Sequence, residues 1–173
     1  MALQRCISYL FTPSGLFATV VFLSFFAMAA ALTSQYFFGL APCPLCLYQR
    51  IPYLLAIFIG LIGYVLDKKG TVKGRKAALG LMGLTFLANT VIAGFHTGVE
   101  RKWWKGLEGC SAPDMSGSLE DVLARIKAAP SVRCDEIPWA DPFFGLSMAN
   151  FNLIVCFGIF IYCLIVLFRL PKY

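Results

Sequence analysis

The stretch from residue 45 to residue 66, LCLYQRIPYLLAIFIGLIGYVL, carries a single charged residue, Arg50, near its start. A helix needs about 20 mostly apolar residues to cross a hydrocarbon core about 30 Å thick, and this stretch is long enough. The rest of the chain is similar in character, since 59% of its 173 residues are hydrophobic and 14% are charged. This composition is far from that of soluble proteins and predicts a membrane protein.

Four apolar stretches of sufficient length predict an all-α fold, a four-transmembrane-helix bundle in one integral membrane domain: 16–35, 45–66, 77–95 and 150–168. The first stretch follows Arg5 and contains a run of small residues, as a signal peptide would. It is longer than the apolar region of about 7–15 residues in signal peptides, so a retained span is favoured.

Charge predicts the orientation of these spans. The connection DKKGTVKGRK, residues 67–76, holds five basic residues and one acidic residue, and both termini add basic residues. By the positive-inside rule, this connection and both termini are cytoplasmic, which places the loops 36–44 and 96–149 on the opposite face of the membrane. The net charge of +6 is therefore mostly an orientation signal in a lipid bilayer, and no basic-aromatic motif for nucleic acid accompanies it.

The predicted topology sorts the seven cysteines. Four of them lie in the outward loops, in two pairs, where disulfides persist. The other three are Cys6 on the cytoplasmic side and Cys156 and Cys163 in the last span, where we expect them to pack as small apolar side chains.

The first pair lies in CPLC, residues 43–46. Pro44 suits the first turn of a helix, so Cys46 is expected at a helix N-terminus, where the free N–H groups favour a thiolate. Arg50 follows one turn later, on the same face as Cys46. An arginine at the edge of an apolar span is costly, which indicates a function as a cation beside a thiolate and a polar acceptor ligand. The alternative is a side chain that extends to the interface.

Two other uses of CPLC are less compatible with the sequence. Haem attachment needs a histidine directly after the second cysteine, and Leu47 stands there. A structural zinc site needs four ligands, which would have to be borrowed across loops from Cys110, Cys134 or His96. Redox chemistry is therefore favoured, and no metal site is predicted.

The second pair, Cys110 and Cys134, lies in the long loop. A disulfide between them would stabilise the loop by about 3 kcal/mol, so a structural role is open beside a redox role. Between them, residues 116–130 predict a short amphipathic helix that begins at Ser118, with Asp121 as capping partner, and ends at Pro130. Such a helix is suited to the membrane surface.

Three segments together resemble one family: CPLCLYQR (43–50), FHTGVERKWW (95–104) leading into Cys110, and RCDEIPW (133–139) ahead of a span containing GLSMANFN (145–152). They resemble the bacterial disulfide bond formation protein B family, the inner-membrane, quinone-linked oxidases that recharge a soluble periplasmic thiol oxidase. The resemblance covers essentially the whole chain. It implies a multi-pass protein of the bacterial inner membrane.

The resemblance also implies roles for individual residues. Cys43 and Cys46 correspond to the pair beside the quinone, with Cys46 the thiolate that interacts with the ring and Arg50 the cation that polarises it. His96, the only histidine, stands where the family often carries a histidine near the quinone; a simple interfacial role is equally open.

The loop cysteines would receive the electrons first. Cys110 corresponds to the sulfur that a reduced thioredoxin-fold thiol oxidase attacks, and residues 111–113 would present an extended segment to it. A bond between Cys43 and Cys134 would pass the electrons on, freeing Cys46 to donate them to the membrane quinone pool. Whether the quinone is ubiquinone or menaquinone is left open.

Three alternatives remain at this point. A structural membrane protein would use the four outward cysteines as permanent staples. A metal-binding membrane protein would bind zinc and lose it in Cys43→Ser. A vitamin K epoxide reductase-like oxidase shares the redox logic, but its active CxxC lies late in the bundle.

Overall fold

The structure is a computed structural model that describes residues 2–107, 110, 115–128 and 132–170, with the backbone alone for residues 2, 3, 5, 6 and 128. The described part contains six helices and no strand: α1 (Ala2–Leu10), α2 (Pro13–Tyr36), α3 (Pro44–Lys68), α4 (Val72–Glu100), α5 (Leu119–Ala128) and α6 (Met148–Arg169). Four of them, α2, α3, α4 and α6, are long and apolar enough to cross a membrane. The predicted all-α four-helix membrane fold is confirmed.

The four long helices close into a bundle. Successive helices pack side by side, α2 on α3, α3 on α4 and α4 on α6, and α2 also touches α6. Between them lies one apolar core: Leu16, Phe17, Val20, Tyr53, Ala56, Ala78, Leu79, Met82, Phe86, Cys156, Ile159, Cys163 and Val166. The outer surface is apolar too, which suits contact with lipid rather than water.

Two glycines of α3 allow α2 to approach closely. A Cβ on Gly60 would lie 2.4 Å from a methyl carbon of Val21, and one on Gly63 would lie 2.5 Å from the ring of Phe17. Both distances are too short for a real side chain. The absence of a side chain at these positions therefore sets the spacing of the two helices.

One end of the bundle gathers the basic connection and the chain ends. Asp67 accepts hydrogen bonds from Ser14 at 2.5 Å and from Arg75 at 3.2 Å. The Tyr162 hydroxyl donates to the backbone carbonyl of Leu10. These contacts join α1, α2, α3, α4 and α6 at this end, so the cysteine loops lie at the opposite end.

The predicted helix bounds hold to within a few residues except in α4. The basic segment before residue 77 is already helical, and the helix continues past residue 95 to Glu100. His96 therefore lies inside a helix, one turn before its end, and not at the start of a loop. Polar residues at a helix end lower its apolar character without breaking its hydrogen bonds, which is why composition alone ended this span early.

The amphipathic helix of the long loop is confirmed as α5. The Ser118 hydroxyl accepts the N–H of Asp121 at 3.2 Å and bonds to its carboxylate at 2.5 Å. Leu119, Leu123 and Ile126 are exposed, as expected for a face that rests on lipid. The predicted end at Pro130 lies outside the described residues.

Candidate functional site

Cys43 and Cys46 lie at the start of α3. Cys43 is the N-cap residue, and its sulfur accepts the backbone N–H of Cys46 at 3.3 Å. The two sulfurs are 3.1 Å apart. Pro44 occupies the first turn, where its missing N–H costs nothing. The helix N-terminus thus acts on Cys43 first, whereas sequence reasoning placed its effect on Cys46.

The surroundings of Cys43 favour its thiolate. Its pKa is lowered from 9.0 to about 4, first by the hydrogen bond from the Cys46 thiol and then by the hydrogen bond from His96, against the effect of burial. Each of these donors stabilises the anion more than the thiol. In the dithiol state, these contacts therefore favour a thiolate at Cys43.

His96 connects the cysteine pair to the bundle interior. Its Nε2 lies 3.5 Å from the sulfur of Cys43, and its Nδ1 lies 2.9 Å from Nε2 of Gln49. An amide nitrogen can only donate, so Nδ1 accepts and the ring proton sits on Nε2, facing Cys43. The sulfurs of Cys43 and Cys46 and a His96 ring nitrogen all lie within 4.8 Å of one another. Sequence reasoning did not predict this cluster.

A buried carboxylate stands behind His96. Glu100 is 8% exposed, and one of its oxygens is 3.8 Å from Nε2 of His96. Its other oxygen accepts the Ser147 hydroxyl at 2.5 Å. Because Ser147 is also the N-cap of α6, this contact fixes the start of α6 against the end of α4.

The loop cysteines lie against the first pair. Cys134 donates its backbone N–H to the carbonyl of Cys110 at 2.7 Å, and both residues are almost fully buried. Burial raises the pKa of the Cys134 thiol, and the neighbouring thiols of Cys110 and Cys43 raise it further. Cys43, Cys110 and Cys134 belong to one buried cluster, the half-buried Cys46 packs against it, and we call these four residues the cysteine cluster. The neighbouring segment 111–113, the expected partner contact, lies outside the described residues.

Arg50 lies on another side of α3. Its guanidinium is half-buried and donates to Oε1 of Gln35 at 2.8 Å, near the end of α2. Cys46, one turn earlier on the same face, is also half-buried. By this spacing, Cys46 and Arg50 lie on one face of α3, and Arg50 contacts the end of α2.

A chain of buried polar side chains continues from His96 into the bundle. Asn152 donates to Gln49 at 2.5 Å and accepts the Tyr53 hydroxyl at 2.5 Å. The Cys156 sulfur lies 3.3 Å from Tyr53 and accepts from Asn89 at 3.2 Å. Cys156 and Cys163 both belong to the apolar core, as expected, and Cys156 also makes these polar contacts. Amide side chains inside apolar spans were the signal that sequence reasoning missed.

An apolar groove of about 490 Å³ opens between α3 and α4. Its lining is Leu45, Tyr48, Ile51, Pro52, Val91, Ile92, Phe95 and Leu107. Neither Cys46 nor Arg50 lines it, so the groove is separate from the region where these two residues face.

Comparison with known proteins places the chain in a family. The family described as Disulfide bond formation protein DsbB matches residues 13–166. The chain belongs to the DsbB family. The resemblance stated from the sequence is thereby confirmed.

Several relatives carry the same name. Disulfide bond formation protein B of Chromohalobacter salexigens is 33% identical over 132 residues, 73% of this chain and 74% of that protein. Its counterpart in Stutzerimonas stutzeri is 29% identical over 166 residues, 91% of this chain and 96% of that protein. An uncharacterized protein of Rickettsia prowazekii, RP370, is 28% identical over 156 residues, 88% of this chain and 86% of that protein.

Family membership and the four spanning helices together define the class of protein. The chain is a multi-pass membrane protein of disulfide-bond formation, a disulfide-generating oxidoreductase.

Proposed function

We propose that the chain is a quinone-dependent protein-dithiol oxidase of the bacterial inner membrane. It would take two electrons from a reduced periplasmic thioredoxin-fold thiol oxidase and pass them through Cys110 and Cys134, then Cys43 and Cys46, to the quinone pool. The observation that carries the proposal is the cysteine cluster, because it brings Cys134 within reach of Cys43. Permanent staples would not need two pairs in contact.

The first exchange occurs at the loop pair. A thiolate of the donor attacks Cys110 of the Cys110–Cys134 disulfide, forms a mixed disulfide and expels Cys134 as a thiolate. The second thiolate of the donor then attacks the donor sulfur that is bonded to Cys110. Cys110 is released as a thiolate, and the donor leaves with its own disulfide. The donor is then oxidised to a disulfide, and the Cys110–Cys134 pair is reduced by two electrons.

The second exchange passes the electrons inward. The Cys134 thiolate attacks Cys43 of the Cys43–Cys46 disulfide, so that a Cys43–Cys134 bond forms and Cys46 leaves as a thiolate. Cys110 then attacks Cys134, which restores the loop disulfide and releases Cys43. His96 Nε2–H and the Cys46 backbone N–H point at Cys43 and would stabilise its thiolate.

The region faced by Cys46 and Arg50 fits a quinone head group. A quinone carbonyl needs a hydrogen-bond donor, and the half-buried Arg50 would supply one. The reacting sulfur must be accessible to the quinone, and Cys46 is only half-buried. A quinone bound there would be the acceptor for the two electrons and two protons of the Cys43–Cys46 dithiol, which would restore the Cys43–Cys46 disulfide. His96 was also expected near the quinone; its contacts with Cys43 and Gln49 support a role on the cysteine side.

We propose that the end with the cysteine cluster faces the periplasm. The opposite end carries the basic connection between α3 and α4 and both chain ends, which the positive-inside rule assigns to the cytoplasm.

The test is quinone reduction by the purified protein, with a reduced thioredoxin-fold dithiol as donor. We expect one quinone consumed per donor dithiol, with ubiquinone and menaquinone compared side by side. Cys46→Ser should abolish turnover, and Cys163→Ser, a core cysteine outside the cluster, should retain it. Arg50→Ala should raise the quinone KM more than Arg50→Lys. A folded wild type that reduces neither quinone would refute the proposal.

A further inference from the structure

Three metal-ligating side chains meet at the start of α3. The sulfurs of Cys43 and Cys46 are 3.1 Å apart, and Nε2 of His96 lies 3.5 Å from the sulfur of Cys43. All three ligand atoms lie within 4.8 Å of one another, and Cys43 and His96 are buried. Thiolate and imidazole are the ligands that zinc prefers in proteins.

These separations are close to those of a zinc site. Zn–S bonds of about 2.3 Å and Zn–N bonds of about 2.0–2.1 Å at tetrahedral angles hold two sulfurs about 3.8 Å apart and sulfur and nitrogen about 3.6 Å apart. The sulfur–nitrogen distance already matches. The two sulfurs would separate by less than about 1 Å, which side-chain rotation provides.

We propose that the reduced protein binds one Zn²⁺ ion through Cys43, Cys46 and His96, with the fourth coordination position open, and that this ion blocks thiol exchange until it leaves. The proposal does not depend on a quinone.

Proton and charge balance allow zinc to bind only when the Cys43–Cys46 pair is reduced. Two thiolates bind Zn²⁺ with release of any proton that the pair still holds, so the charges of these two ligands and the ion cancel. A Cys43–Cys46 disulfide has no thiolate to offer. The ion would therefore bind after the pair has been reduced and would hold it in that form.

Gln49 supplies the partner that a metal-bound histidine needs. With the metal on Nε2, the ring proton moves to Nδ1 and requires an acceptor. The Gln49 amide nitrogen now faces Nδ1 at 2.9 Å, so binding requires the Gln49 amide to turn over and present Oε1. The Asn152 amide, which now donates to that oxygen, must turn over with it. Gln49→Glu places an acceptor there without any turn. We expect it to tighten binding about 10-fold or more, and Gln49→Leu to weaken it similarly.

The experiment uses the full chain in detergent micelles, reduced and freed of reductant without oxygen. Cobalt(II) serves as the probe, because tetrahedral thiolate coordination gives intense visible bands and a sulfur-to-cobalt charge-transfer band. We expect one Co²⁺ per chain, displaced by one Zn²⁺, and no bands in the oxidised protein. The bands should be lost in Cys43→Ser and in Cys46→Ser, and retained in Cys163→Ser.

Further variants separate this site from the loop cysteines. The double variant Cys110→Ser, Cys134→Ser should retain the cobalt bands at full intensity. His96→Gln should bind at least about 10-fold more weakly. Zn²⁺ should also slow the alkylation of Cys46 in the wild type. The same concentration of Zn²⁺ should not slow it in His96→Gln. Gel filtration and circular dichroism establish that each variant is folded.

Two results would overturn the proposal. One is a reduced wild type that shows no charge-transfer band at any Co²⁺ concentration that keeps it soluble. The other is a band that survives Cys43→Ser or disappears in the loop double variant, because the metal would then be bound by other thiols.

Discussion

The lowered pKa of Cys43 gives a quantitative test of the site. The change is His96→Gln in the reduced protein. His96 Nε2–H donates to the Cys43 sulfur at 3.5 Å, and it is the second group that lowers this pKa, after the Cys46 thiol. A hydrogen bond to a charged group contributes about 1.5–3 kcal/mol, and one pKa unit corresponds to about 1.4 kcal/mol. The substitution should therefore raise the pKa of Cys43 by about 1–2 units, from about 4.

The assay is thiolate absorbance in the ultraviolet as a function of pH. Ordinary thiols titrate near pH 8.5, and burial raises the pKa of Cys134, so below about pH 7 a single thiolate should titrate in the reduced wild type. Cys46→Ala removes the largest cause of the shift and should raise the pKa further than His96→Gln. Cys46→Ser, which keeps an O–H donor, should raise it less.

The sign of the stability effect follows from the direction of the shift. A group whose pKa is lowered by folding contributes stability above its unfolded value, and that contribution is lost as pH falls through the folded value. The reduced protein should therefore lose stability as pH falls from about 9 to about 4, and His96→Gln should lose less. An unchanged titration midpoint in folded His96→Gln would refute the role assigned to His96.

Three further outcomes are expected. Gly63→Ala should destabilise the bundle by about 1–3 kcal/mol in a thermal melt in detergent, because its Cβ would lie 2.5 Å from the Phe17 ring. Gly80→Ala, whose Cβ would meet nothing within 4 Å, should be neutral or stabilising in the same melt. Cys134→Ser should abolish oxidation of the donor dithiol, because it leaves no loop disulfide for the donor to attack; a variant that turns over normally would contradict the relay. Ser147→Ala should cost about 1 kcal/mol in that melt, because it removes the cap of α6, and an unchanged midpoint would contradict this.

The fold could be predicted from the sequence because lipid imposes one simple requirement. Each span must be apolar over about 20 residues, and four stretches are. The capped helix α5 was equally predictable, since Ser118 and Asp121 are close in sequence and act locally. These helices depend on residues that are close in the sequence, so one sequence is enough to predict them.

The arrangement of the site could be predicted only in part. CPLC indicated a thiol pair at a helix start, but the N-cap is Cys43, because the helix begins one residue earlier than expected. The contacts of His96 with Cys43 and Gln49 join α4 to α3 across more than 40 positions of sequence. Such contacts depend on how helices rotate against each other. Nothing in the spacing of residues along one chain fixes that rotation.

The depth of the cysteine cluster has a consequence for selectivity. Cys110 is 2% exposed, Cys134 is 0% exposed, and Cys43 beneath them is 4% exposed. If the pairs exchange as proposed, a small free thiol has almost no sulfur surface of the loop pair to attack. A folded donor can offset the cost of moving the loop with the surface it buries on docking. The closed loop would then act as a filter, which admits electrons from a protein that can displace it and keeps the periplasmic pool of small thiols from draining into the membrane.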